Sequence, residues 1–225
     1  MIAVVDYGMG NRRSVEKALA HVGVPARVTG DHDVLWAADG LVLPGVGAFP
    51  LAMSNLRERG LDELLRAALA AGVPLLGICL GMQLALDRSD ELGGAEGLGL
   101  IPGEVSLLDS AGAKLPHIGW NVVQFTRESP LLAGLPSRCA FYHVHSFSAR
   151  PASGADVLGT AQYGSSFASA VQRDHFYGVQ FHPEKSSLQG LTLLANFARI
   201  CGEDAALPAR VEVAAAAAHA AGVRP

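Results

Sequence analysis

The residues most able to do chemistry in this chain begin with Cys79, set in Gly77-Ile78-Cys79-Leu80-Gly81. The pentapeptide has the form of a nucleophile elbow, a strand-to-helix turn with the reactive side chain at its tip. So tight a turn leaves no room for side chains two before and two after the tip, which is why glycine stands there. The tip also opens a helix, where the dipole and free N–H groups favour a thiolate. A free cysteine is commonly a buried structural residue, so a catalytic reading needs a base and a group to orient it. Both stand further along, in Gly178-Val179-Gln180-Phe181-His182-Pro183-Glu184-Lys185. In extended chain, residues two apart share a face, which pairs His182 with Glu184. Pro183 fixes its own φ and keeps His182 extended. A solitary His-x-Glu would read as a solvated strand end. Here it follows a buried strand, at the sheet edge where ligands bind in open α/β folds.

A third element is Pro44-Gly45-Val46-Gly47, also just past an apolar run. Its glycines let backbone N–H groups approach an oxyanion closely, and with the Leu80 N–H they would form the hole for a tetrahedral intermediate. Alone it would be an ordinary turn. Together the three features describe acyl transfer to a thiolate followed by hydrolysis.

The elements that must position these groups can be read from periodicity. Ile2–Asp6 is an unalternating apolar run, as for a strand buried on both faces. Asn11 caps a helix through Val22 that Gly23 stops. Strands follow at Ala26–Thr29 and Gly40–Leu43, then helices at Ala48–Arg59 and Leu61–Ala71. A buried strand at Pro74–Ile78 runs into Cys79 and a helix over Leu80–Leu86. This rhythm predicts an α/β fold, a mostly parallel sheet with helices on both faces. Past Leu92 glycines multiply and short alternating segments appear: Glu104–Leu108, Asn121–Phe125, Arg138–Val144, Val157–Tyr163 and Phe167–Arg173. They predict an antiparallel extension in the second half. Phe176–Phe181 is again a buried strand, and Ser187–Ile200 a closing amphipathic helix. The expected domain is 1–202; 203–225, alanine-rich and without an apolar stripe, is expected to be a disordered tail.

Composition excludes several classes. Half of the 225 residues are hydrophobic and 17% charged, which suits one globular domain. A net charge of −4 offers no footprint for nucleic acid. No apolar stretch is long enough for a membrane span, and the first residues lack the basic region of a signal peptide. Three scattered cysteines, at 79, 139 and 201, argue against a disulfide framework and for a reducing, cytoplasmic setting.

The combination resembles the class I glutamine amidotransferases, which carry a Cys-His-Glu triad. The resemblance rests on Leu43 through Phe49, on Pro74 through Gln83 and on Gly178 through Ser186. Asp6-Tyr7-Gly8-Met9-Gly10-Asn11, Pro116-His117-Ile118-Gly119-Trp120-Asn121 and His145-Ser146 narrow it to the glutaminase subunits that serve histidine biosynthesis. The resemblance implies a flavodoxin-like fold, L-glutamine as substrate and no cofactor. Cys79 would attack the amide carbon, His182 would activate it and protonate the ammonia, and Glu184 would orient His182. Gly45, Val46 and Leu80 would supply the oxyanion hole. Gly47, Gln83, Glu91, Ser146 and Phe147 would surround the glutamine, Glu91 meeting its ammonium group. Ammonia would pass to a separate (β/α)₈ cyclase subunit in a heterodimer, with Asn11, Trp120, Tyr142 and Lys185 on the cyclase-facing side. Two positions depart from the family pattern: His143 where an aromatic is usual, and Phe147 where Tyr is frequent.

Other readings carry less. Gly8-Met9-Gly10 with Asp31 resembles half of a dinucleotide fingerprint, but Arg13 stands where the third glycine belongs. His143 and His145 alternate on one strand face without a third ligand at matching spacing, so core or interface histidines are expected rather than a metal site. The intact Cys79, His182 and Glu184 argue against a non-catalytic subunit on the same fold; within the enzyme class the alternative is the amidotransferase of another pathway, such as anthranilate, aminodeoxychorismate or pyridoxal phosphate synthesis. A free glutaminase would waste glutamine, so activity is expected to be weak alone and raised by the cyclase. A peptide flip at Gly45-Val46 would be the switch.

Overall fold

A computed structural model describes residues 1–206. Strands β1 (Ile2–Val5), β2 (Ala26–Thr29), β3 (Gly40–Gly45), β4 (Leu75–Cys79), β5 (Leu86–Ser89), β6 (Ala95–Glu96) and β7 (Ile101–Leu107) come first. They are followed by β8 (His117–Phe125), β9 (Arg138–His145), β10 (Phe147–Pro151), β11 (Val157–Tyr163), β12 (Ser165–Arg173) and β13 (Phe176–Val179). Helices α1 (Arg12–His21), α2 (His32–Trp36), α3 (Phe49–Glu58), α4 (Leu61–Ala70), α5 (Leu80–Gln83) and α6 (Ser187–Ile200) connect or cover them.

Nine strands form the main sheet in the order β2-β1-β3-β4-β13-β12-β11-β8-β9. The first five are mutually parallel and the rest antiparallel. This is the expected division into a parallel half and an antiparallel extension. Of the parallel strands, β1, β3, β4 and β13 are buried on both faces, and alternate residues feed two separate cores. Ile2 and Val4 join Val15, Leu19, Leu193 and Phe197 on the side of α1 and α6. Ala3 and Val5 join Phe49, Met53, Leu61 and Leu65 on the side of α3 and α4. That two-sided burial is why these strands show no polar alternation in sequence.

The structure departs from expectation in several places: β6 is additional, and β7 and β8 begin at Ile101 and His117, ahead of the expected Glu104 and Asn121. The helix after Cys79 is a single turn, Leu80–Gln83, instead of reaching Leu86. The chain leaves it to make β5, which pairs parallel with β7 in a second sheet of order β10-β7-β5-β6. Ladder hydrogen bonding outcompetes the weak local helix preference there. The short helix α2 went unpredicted, although its N-cap Asp31 accepts hydrogen bonds from the Asp33 and Val34 N–H groups. That capping also occupies the carboxylate a dinucleotide reading would need. Strand β10 was missed because its alternation is broken by Pro151.

Of the segment 203–225, residues 203–206 are described. Glu203 and Asp39 pair with the N-terminal amine, Ala205 is buried, and the Ala206 N–H donates to the Val22 carbonyl. Residues 207–225 lie outside the described residues.

The elbow's dependence on glycine is geometric. A Cβ on Gly81 would stand 1.8 Å from the Leu43 carbonyl oxygen, and one on Gly77 2.6 Å from that of Gly81. A Cβ on Gly154 would meet nothing within 4 Å. Gly81→Ala is therefore expected to cost at least about 2 kcal/mol in urea denaturation, and Gly154→Ala to stay within about 0.5 kcal/mol. Equal midpoints for the two variants would contradict this packing.

Candidate active site

Strand register brings the three sequence features together. In the parallel pairs Gly45 lies opposite Cys79, and Val179 opposite Ile78. Their continuations leave the sheet side by side. Cys79 itself has φ 55 and ψ −110, a positive φ in a residue with a side chain. Such a conformation costs on the order of 1–3 kcal/mol and persists only where its surroundings over-determine it. Here it is held between a fully buried strand and a helix packed on β3 and β13.

After β13 the chain crosses to β9: the His182 N–H donates to the Tyr142 carbonyl 2.9 Å away. The Ser186 hydroxyl donates to the His182 carbonyl at 2.6 Å and accepts from the Tyr142 N–H at 3.0 Å. These bonds hold the imidazole in place. Its Nδ1–H donates to Glu184 Oε1 at 2.9 Å, and the two side chains are 2% and 1% exposed. The second carboxylate oxygen, Oε2, is buried without a hydrogen-bond partner. With Nδ1 committed to Glu184, Nε2 is left for the sulfur. Burial pulls the His182 imidazole down, but the hydrogen bonds and charges of Cys79 and Glu184 outweigh it and hold it at about 9.

The neighbouring histidines behave differently. Burial pushes His143 down to about 3 and His145 to about 4, and lowers His117 as well. His143 Nδ1 donates to the Phe141 carbonyl, and its Nε2 accepts from the Ser169 hydroxyl. His145 and His117 are hydrogen-bonded to each other at 3.0 Å. They are neutral core residues. Among the described residues no group of three His, Cys, Asp or Glu side chains is arranged to hold a metal ion.

A cavity of about 330 Å³ opens beside Cys79 and His182. Val46, Gly47, Leu80, Gln83, Glu91, Ser146, Phe147 and Lys185 line it. Gly45 is buried next to the elbow, where a Cβ would stand 2.7 Å from that of Leu80. Every residue expected around the substrate is thus at or beside one cavity. A larger open groove of about 810 Å³, lined within residues 125–137, contains neither cysteine nor histidine. Glu91 Oε2 accepts from the Phe49 N–H, which anchors its carboxylate at the cavity wall. Gln83 is nearly buried, and its amide nitrogen donates to the Phe147 carbonyl. The Tyr-to-Phe departure at 147 leaves that backbone contact untouched.

Of the residues expected on a partner-facing side, Trp120 is 55% exposed and stacks edge-on with the half-buried Tyr142. Lys185 is exposed at the cavity rim, and Asn11 is half-buried at the start of α1. Two groups were missed, the first being the Gln180 amide, which reaches Cys79 Sγ at 3.6 Å. The alternation that paired His182 with Glu184 also puts Gln180 on their face, so the signal was present. The second is Val144, whose carbonyl oxygen lies 3.8 Å from Cys79 Sγ.

A strained cysteine at a strand end, beside a buried His–Glu pair, is the arrangement of a nucleophilic thiol with a base and an orienting carboxylate. The chain belongs to the class-I glutamine amidotransferase family, whose model matches residues 3–201. It is 51% identical to the imidazole glycerol phosphate synthase subunit HisH of Moorella thermoacetica, over 88% of this chain and 94% of that protein. It is 50% identical to the protein of the same name from Aquifex aeolicus, over 87% and 95%. Among solved structures, PurLQS from Thermotoga maritima superposes with a TM-score of 0.70 at 19% identity, over 88% of this chain and 97% of that one. The crystal structure of another glutamine amidotransferase gives 0.69 at 19%, over 90% and 100%. These structural likenesses concern the fold. Among the described residues no helix is long and apolar enough to cross a membrane.

The raised His182 pKa carries a sign. Folded His182 binds its proton more tightly than the unfolded residue, at about 9 against roughly 6.5 unfolded. Its contribution to stability is complete below pH 6.5 and fades as pH rises through 9. The gap in Tm between the parent and Glu184→Gln, followed by calorimetry, should be widest near pH 6 and shrink toward pH 9.5. A gap independent of pH would contradict the charged pair.

Proposed function

We propose that this glutamine amidotransferase is the glutaminase subunit of an imidazole glycerol phosphate synthase. The observation that carries the reading is the buried Cys79–His182–Glu184 constellation at one cavity, in a chain half-identical over most of its length to proteins of that name.

The geometry supports the following chemistry. The Cys79 thiolate attacks the side-chain amide carbon of glutamine, and the carbonyl electron pair moves onto oxygen. The N–H groups of Gly45, Val46 and Leu80 meet that oxyanion. The tetrahedral intermediate collapses with a proton from His182 Nε2 to the departing nitrogen, releasing ammonia and leaving a γ-glutamyl thioester. Water then adds to the thioester while neutral His182 takes its proton. Glutamate leaves and the thiolate returns. Glu184 keeps the imidazole in the tautomer both steps require. Gly47, Gln83, Glu91, Ser146 and Phe147 hold the glutamine, with the Glu91 carboxylate as partner for its ammonium group.

Ammonia passes to a (β/α)₈ cyclase subunit, which combines it with a phosphoribulosyl-formimino aminoimidazole carboxamide nucleotide. The products are imidazole glycerol phosphate and an aminoimidazole carboxamide ribotide. Asn11, Trp120, Tyr142 and Lys185 face that partner. Support comes from β8, whose alternate residues Ile118, Trp120 and Val122 are 59%, 55% and 44% exposed. A row of exposed apolar side chains on one sheet face suits a protein interface. Val46, also 44% exposed, stands on the oxyanion loop, whose reorientation is the step through which the cyclase would raise activity.

Two measurements test the reading. Glutamate release should be weak for the chain alone and rise on the order of 10- to 100-fold with the cyclase and its nucleotide; full activity alone would exclude the coupling. In the complex, Cys79→Ala should abolish turnover with glutamine while sparing turnover with ammonium. Retained use of glutamine would refute Cys79 as nucleophile, and activation by a chorismate-using partner would reassign the pathway.

A further inference from the structure

The steps above leave two contacts to the reacting sulfur unused. The Val144 carbonyl, 3.8 Å from Sγ, can only accept and so favours the S–H form. The Gln180 side chain, fully buried, approaches the sulfur at 3.6 Å. Which end of that amide faces sulfur is fixed by its other partners. The Phe147 carbonyl can only accept, so the Gln83 atom 3.0 Å from it is the NH₂ group. The same nitrogen lies 3.0 Å from the Gln180 side chain, which must present its oxygen there. The NH₂ of Gln180 is left to point at the sulfur. His145 Nδ1–H donates to the same Phe147 carbonyl at 2.9 Å, which fixes the first member of the chain. The backbone prepares this arrangement: Val179 pairs with Ile78, so the next residues, Gln180 and Cys79, emerge side by side.

We propose that Gln180 is a further catalytic residue, its amide N–H donating to the Cys79 sulfur and stabilising it as a thiolate. The idea rests on Cys79 being the nucleophile. The contact matters twice, when the thiolate attacks and when sulfur is the leaving group. In the second step water adds to the thioester and gives its proton to His182. The C–S bond then breaks, and its electron pair returns to the sulfur, where the Gln180 N–H meets it. A neutral amide keeps this role in either protonation state of His182. The other titratable groups about the sulfur are His182 with Glu184 behind it, Tyr7, His145 and, at the cavity, Glu91 and Lys185. Tyr7 donates to the Pro44 carbonyl and is held well above its usual range by burial and by Cys79, so it remains a neutral phenol.

The test is the rate at which iodoacetamide alkylates Cys79 in the full chain, as a function of pH. Burial pushes the Cys139 and Cys201 thiols up to about 12, so they stay silent below pH 10. In Gln180→Met the midpoint of the profile should rise by about one pH unit, with glutaminase kcat falling about tenfold, since one unit corresponds to a tenfold change. Gln180→Glu keeps the acceptor for Gln83 but turns the donor into an oxygen, and its midpoint should rise further. A folded Gln180→Glu with the parent's midpoint would overturn the proposal, whatever its rate, because a packing role alone lowers activity without moving the profile. Should both variants fail to fold, Gln83→Met, which releases the Gln180 amide, should still raise the midpoint; an unchanged profile there is equally contrary. Cys79→Ala should take up no label. Label on that variant below pH 10 would count against the selectivity of Cys79 itself, which keeps the two failures apart.

Discussion

Everything at this site depends on the parallel alignment of β3, β4 and β13. With Gly45 level with Cys79 and Val179 level with Ile78, three segments distant in sequence leave one sheet edge together. One carries the proposed backbone donors, one the proposed nucleophile and one the proposed base. No loop has to reach for another. The alignment is fixed by burial on both faces: a slip of one residue in β4 would turn Leu75 and Leu76 into each other's cores. The same rigidity sustains the positive φ of Cys79, an unfavourable conformation that a looser strand end would relax.

Electrostatics then distinguishes one histidine from its neighbours. His117, His143, His145 and His182 are all buried within the same part of the domain. Burial disfavours the charged imidazolium in each. Only His182 has a carboxylate bonded to its ring, and a sulfur beyond it that can hold negative charge. It alone is raised, while His143 and His145 fall to about 3 and 4. The arrangement gives one proton carrier in a wall of neutral rings, which suits a reaction that must hand a single proton to ammonia and take one from water.

Much of this was legible in the sequence because each functional group ends a buried strand, and buried strands write themselves as apolar runs. Ala26–Thr29, Val157–Tyr163 and Ser187–Ile200 appear with the bounds their residue patterns predict. The His182–Glu184 pair followed from strand alternation. What could not be read depended on tertiary pairing. Leu84 and Leu86 suit a helix or a strand equally, and β7, distant in sequence, decides between them. Gln180 escaped notice for another reason: a glutamine carries no charge to flag it, and its role emerges only once Gln83 and Phe147 fix which way its amide faces.

The central claim is that the resting enzyme holds an imidazolium beside the Cys79 sulfur. The most direct test is the pH titration of the His182 ring by NMR in selectively labelled protein, with Cys79→Ala as reference. The structure predicts a midpoint near 9 in the parent and a lower one once the sulfur is gone. A parent midpoint at or below about 6.5, the ordinary value, unchanged by removing the sulfur, would contradict it.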